Sequence, residues 1–230
     1  MEHWVYTTSI LGHGVSFNMD TLITMWLSMF ILIVLALLTT RKLTMVPGKL
    51  QLIGENIVKY FNNIAKSSMG NDEAQKHIAI ILTLFMFILT ANLVGQLPWK
   101  LIHLHSGELA SPNNDINMTA AMAIVVSIYY IFYGVKRNGF KFFFKGFSID
   151  GIIITLVDAL ELFVRPFSLA LRLFANIFAG EVLVATILSL AAVAFPLPFM
   201  LFELFVALVQ ALVFTLLSTT YISMAIKEEH

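Results

Sequence analysis

The chain has 230 residues, 59% of them hydrophobic and only 12% charged, with a formal net charge of zero and no cysteine. Soluble domains carry about twice that charge fraction, so too few polar side chains exist to clothe a water-facing globule, and the mean hydropathy of +0.86 points to a bilayer as solvent. The neutral balance offers no basic patch for nucleic acid, and the missing cysteine excludes disulfides, thiolate nucleophiles and thiolate metal sites.

The opening MEHWVYTTSI has no basic stretch ahead of an apolar run, so no cleavable signal peptide is expected. The first membrane run is Leu22 to Leu38, closed by Thr39, Thr40, Arg41 and Lys42, giving a span over about 22–40. Over 47–66 the pattern changes: Leu50, Ile53, Ile57, Phe61 and Ile64 recur at three- and four-residue steps with Lys49, Glu55, Lys59 and Lys66 between them. That spacing predicts an amphipathic helix lying on the membrane surface. Further spans are expected over 77–97, ended by Pro98, and over 117–135, with a polar loop between them.

A second surface helix is expected over 151–165, where Asp158, Glu161 and Arg165 form one polar face on an otherwise apolar segment. Two long runs follow, over 166–195 and 197–226. About 29 residues of helix reach roughly 43 Å, against a hydrocarbon core of about 30 Å, so these helices must tilt or extend beyond the core. The expected fold is therefore a single all-α integral membrane domain: five transmembrane helices and two amphipathic surface helices, the last two spans forming a tilted hairpin. If the spans alternate, every basic residue except Lys100, Arg165 and Arg172 falls in the loops on one side or at the C-terminus. The positive-inside rule then places the N-terminus outside and the C-terminus in the cytoplasm.

The informative side chains are the polar ones inside the spans. Arg172 and Glu181 lie in SLALRLFANIFAGEVLVA, and Glu203 and Gln210 lie in LFELFVALVQALVF. A charge at the bilayer centre costs about 3 to over 10 kcal/mol, so such residues persist where they face a bundle interior or a watered path. Arg172 and Asn176 share a helix face by their four-residue spacing, as do Glu203 and Gln210 by their seven-residue spacing. In an antiparallel pair, facing residues have indices of nearly constant sum. One register brings Arg172 opposite Gln210 and Glu181 opposite Glu203, with an irregular turn over about 191–198. A lone intramembrane glutamate can be a structural hydrogen-bonding group, and an arginine near a helix end can snorkel. Five polar residues in one register favour a route for ions.

The string LRLFANIFAGE, Leu171 to Glu181, resembles the signature helix of the a-subunit family of bacterial F-type ATP synthases, which typically reads LRLFGN-x-x-AGE, with Ala175 here in place of a common glycine. FVALVQALVFTLLSTTYIS resembles the family's last helix, and PNNDINMT its outer loop and next helix start. The resemblance implies the ion-channel stator subunit of the membrane sector, in which two offset half-channels carry H⁺ or Na⁺ to and from the carboxylates of a c-subunit ring. It implies that Arg172 is the essential charge facing that ring, with Asn176 and Gln210 near it. Glu181 and Glu203 match positions of the outer half-channel, and Asp115 and Asn117 match polar residues near its mouth. It also implies b subunits of a peripheral stalk as partners, a bacterial cell membrane location, and no cofactor.

The chain has no GxxxxGK[ST] phosphate loop, so ATP chemistry would belong to another subunit. A secondary transporter would be expected to show repeated halves, which are absent here. A purely structural membrane subunit would not need the polar register. The six histidines are scattered, with only His103 and His105 close together, and two loop histidines do not make a metal site.

Overall fold

The computed structural model describes residues 5–10, 13–41, 43–96, 111–142, 149–190 and 197–227. Residues 191–196 of the turn expected over 191–198, together with His103 and His105, lie outside them. The fold is helical as expected, with a short hairpin added ahead of the helices: Val5–Ile10 (β1) pairs antiparallel with His13–Asn18 (β2), Val5 opposite Asn18 and Ile10 opposite His13. The strands hold Val5, Tyr6, Thr7, Thr8, Val15 and Phe17, residue types that suit a pleated backbone.

Six α-helices follow among the described residues: Met19–Thr40 (α1), Lys49–Met69 (α2), Asn71–Gly95 (α3), Ile116–Asn138 (α4), Ile149–Leu190 (α5) and Leu197–Ile226 (α6). Four of them, α1, α3, α4 and α6, contain stretches long and apolar enough to cross a membrane. Their exposure pattern is the reverse of a soluble helix. On α1, Asp20, Thr21, Thr24 and Ser28 are buried, while Trp26, Phe30, Ile33 and Leu37 are exposed. Two of the inward hydroxyls donate to carbonyls one turn back, Thr24 Oγ1 to Asp20 O at 2.9 Å and Ser28 Oγ to Thr24 O at 2.8 Å, which satisfies them without water. On α6 the buried Thr215, Ser218 and Thr219 do the same.

Helix α2 is the expected amphipathic element. Phe61 and Ala65 are buried, with the Phe61 ring 4.6 Å from that of Phe85 on α3, while Lys49, Lys59 and Lys66 occupy other faces. Gly70, at φ 85°, turns the chain directly from α2 into α3, a conformation that side-chain-bearing residues rarely adopt.

The break expected at Pro166 is absent: residues 149–190 form one helix of 42 residues, about 63 Å long. Pro166 cannot donate to the Leu162 carbonyl, and an interior proline costs about 3 kcal/mol. The turn is held from both sides. Arg165 pairs with Glu161 across it and lies over the Tyr221 ring of α6, 5.1 Å from its centroid. Just beyond, Leu169, Ala170, Leu173 and Ile177 are buried in the core shared with Val126 and Tyr130 of α4. The polar face of 151–165 also turns inward rather than to bulk water, since Asp158, Glu161 and Arg165 are half-buried while Ile153, Leu156, Leu160 and Phe163 are exposed.

Contacts sort the helix ends into two groups. At one end, Asn18 before α1 meets Asp115 before α4, and Asn92 near the end of α3 meets the first third of α6 at Ala207. At the other end, Ser223 of α6 donates to Ser68 O of α2, Asn138 of α4 donates to Ala225 O of α6, and Glu73 of α3 bonds Arg137 of α4. Neighbouring long helices therefore alternate in direction.

Candidate functional site

At the first of these ends, Ser111 to Asp115 form a polar hub. Pro112–Asn114 make a single 3₁₀ turn, started by a proline where no donor is needed. Asp115 then caps α4, its Oδ1 accepting from the Asn117 N–H at 2.9 Å and from Asn117 Nδ2 at 3.0 Å. Its other oxygen accepts from Asn18 Nδ2 at 2.7 Å and Thr21 Oγ1 at 3.4 Å, which ties the loop to α1. Asn113, fully buried, donates to Asn92 Oδ1 at 2.6 Å, and Asn92 Nδ2 donates to Ala207 O of α6 at 3.2 Å. Asn114 Nδ2 donates to Glu181 Oε2 at 2.6 Å, and the Ser111 N–H donates to Glu181 Oε1 at 3.1 Å. Five residues of loop thus reach α1, α3, α5 and, through Asn92, α6.

Between α5 and α6, the Glu203 carboxylate lies against the Gly180 backbone: a Cβ there would stand 2.5 Å from Glu203 Oε1. Glu203 is therefore adjacent to the residue preceding Glu181, in the antiparallel register that the sequence spacing implied. Both carboxylates are half-buried. Gln210, two turns along α6, is 7% exposed, and its Nε2 has no hydrogen-bond partner among the described residues, as is also true of the buried Ser111 Oγ and Asn113 Oδ1. Buried polar atoms in proteins are ordinarily satisfied by protein groups or by water.

Arg172 is exposed, and so are Phe167 and Phe178 on the same helix, while Asn176 is half-buried. Nine residues separate Arg172 from Glu181, about 13.5 Å along the helix. The structure thus gathers Glu181, Glu203, Asp115 and Asn117 at one end and leaves Arg172 at another depth.

Sequence reasoning missed Asn18, Thr21, Asn92, Asn113 and Asn114. Asn92 carried a signal, an amide inside an apolar run, whereas a loop asparagine is ordinary. It also missed a second cluster at the opposite end. His77, fully buried, has Nδ1 2.8 Å from the Tyr129 hydroxyl and its ring edge-on to Tyr133, while Glu73 bridges Lys76 and Arg137 at 2.9 and 2.7 Å. Among the described residues no three His, Asp or Glu side chains are placed to hold a metal ion.

Outward apolar faces, inward polar faces and helices of bilayer length define a multi-pass helical membrane protein, with half-buried carboxylates and buried amides gathered at one end. Residues 22–223 match the family model for the ATP synthase A chain. The chain is also 40% identical over 209 residues to ATP synthase subunit a of Gloeobacter violaceus, covering 91% of this chain and 84% of that protein. This chain belongs to the ATP synthase A chain family.

Proposed function

We propose that this protein is the proton-translocating stator subunit of the membrane sector of an F-type ATP synthase, working against a rotating c-subunit ring and anchored beside the b subunits of the peripheral stalk. Helices α1, α3, α4, α5 and α6 make five crossings. Helix α2 lies at the cytoplasmic surface, and the 149–165 portion of α5 continues at that boundary. The basic residues of α2 and of the α4 end support, by the positive-inside rule, a cytoplasmic position for that side in a bacterial cell membrane, with the N-terminus outside.

The observation that carries the reading is the seat of Glu203 against Gly180, which brings carboxylates of α5 and α6 to one level at the outer end. Protons enter past Asp115 and Asn117, reach Glu181 and Glu203, and pass towards Asn176 and Gln210 to a ring carboxylate. Neutralised, that carboxylate can rotate through lipid, where its charged form would be prohibitively costly. It releases its proton to a separate path open to the cytoplasm, on the side of the membrane where Asp158 and Glu161 lie. Arg172 stands between the paths. Its guanidinium is exposed on a helix whose outward face is otherwise apolar, so a partner bearing negative charge would meet it favourably there. Each charge crossing 100 mV supplies about 2.3 kcal/mol to rotation.

The test is ATP-driven proton pumping in inverted vesicles bearing the assembled complex, wild type against Arg172→Ala. Loss of pumping with the complex intact is expected, and unchanged pumping would mean that the intramembrane charges are structural.

A further inference from the structure

We infer that Asn114 is a positioning residue for proton transfer through Glu181, its side-chain amide holding the carboxylate in one orientation on α5 beside Glu203. This rests on the proton-pathway reading above.

Both oxygens of Glu181 are held from one short piece of backbone, Oε2 by Asn114 Nδ2 at 2.6 Å and Oε1 by the Ser111 N–H at 3.1 Å. The donors themselves have little freedom. Asn114 is 7% exposed, and its neighbours on both sides are pinned: Asn113 to Asn92 on α3, and Asp115 to Asn18 and Thr21 at the start of α1. The loop is braced against Gly95 as well, whose missing side chain is what lets Ser111 approach α3.

A donor fixed in this way does more than satisfy a buried acid. A glutamate side chain has three rotatable bonds and could turn towards several neighbours as its charge changes. A rigid amide and a rigid N–H keep one position favourable for the anion, so each cycle returns it to the same place, and transfer depends on that reproducible geometry. Asn114 has no ionisable state in the working range, so its influence must pass through Glu181. Among the residues whose side chains are described, the other titratable groups of this end are Glu203 on α6, Asp115 in the loop and Asp20 on α1, while α3 presents the neutral Asn92 and Gln96.

The experiment uses the whole reconstituted complex. ATP-driven pumping is measured across a range of pH for wild type, Asn114→Leu, Asn114→Gln and Glu181→Gln, with recovery of the c ring on purification as the check on assembly. Asn114→Leu should assemble and pump about tenfold more slowly, the effect of losing one hydrogen bond to a charged group. Its pH profile should differ from wild type, and Asn114→Gln, which restores a donor, should recover much of the rate. A wild-type rate, or a slower rate with an unchanged pH profile, would overturn the inference and leave Asn114 as packing. If Asn114→Leu does not assemble, Asn114→Ser carries the same test: an altered profile supports the role, and a wild-type profile overturns it. Pumping lost in Glu181→Gln but normal in Asn114→Leu would sink this inference alone. Normal pumping in Glu181→Gln would overturn the pathway reading and this inference with it.

Discussion

Glu203 rests on Gly180, with no room between them for even one methyl group. The contact joins α5 to α6 beside Glu181, and its consequences differ from those of an ordinary crowded glycine. The atom in the way is the far end of a flexible side chain, so Gly180→Ala should leave the fold and the complex intact while pushing the Glu203 carboxylate aside. Proton pumping should fall about tenfold, in keeping with the sensitivity of transfer steps to misplacement of about 1 Å. Normal pumping by the assembled variant would show that the position of Glu203 does not matter to transport.

Gly95 presents the opposite case. A Cβ there would meet not only the side chain of Ser111 but also its Cα, 2.8 Å away. The obstacle is backbone, so Gly95→Ala must displace the hub loop from the end of α3. Overpacking of this kind costs about 1–3 kcal/mol. The thermal midpoint of the purified complex should drop, and pumping should fall with it because the Ser111 N–H holds one oxygen of Glu181. A midpoint equal to wild type would mean that the loop shifts freely.

Asn92 is the link by which the hub reaches α6, accepting from Asn113 and donating to the Ala207 carbonyl. Asn92→Leu strands the Asn113 amide, which is 0% exposed. The expected loss is about 1–3 kcal/mol per buried group left unsatisfied, read as reduced recovery of assembled complex and faster loss of activity on warming. Unimpaired stability would show that another group takes over the bond.

Phe61 anchors the surface helix. It is 1% exposed and packs on Phe85 of α3. Phe61→Ala should cost about 3–5 kcal/mol. That loss should appear as increased protease sensitivity of the α2 segment in inverted vesicles, and protection equal to wild type would show that the lipid surface alone holds α2.

Membrane residence, the boundaries of α6, the amphipathic nature of α2 and the antiparallel register of α5 and α6 were legible from residue order, because each follows from length or periodicity along one element. Composition alone dictates that a chain so poor in charge must use lipid as solvent, and helix spacing puts Glu203 within one position of facing Glu181. Three features required the tertiary structure. Pro166 reads as a boundary because its local cost is visible in sequence, whereas the long-range contacts that offset it, Arg165 on Tyr221 and Leu169 and Leu173 in the α4 core, are not. The N-terminal hairpin depends on pairing between two segments that are individually unremarkable in length and polarity. The amide hub gathers Asn18, Asn92, Asn114 and Glu181 from four separate stretches of chain. No periodicity links such residues, since only the packing angles of the helices decide which loop asparagine meets which buried carboxylate.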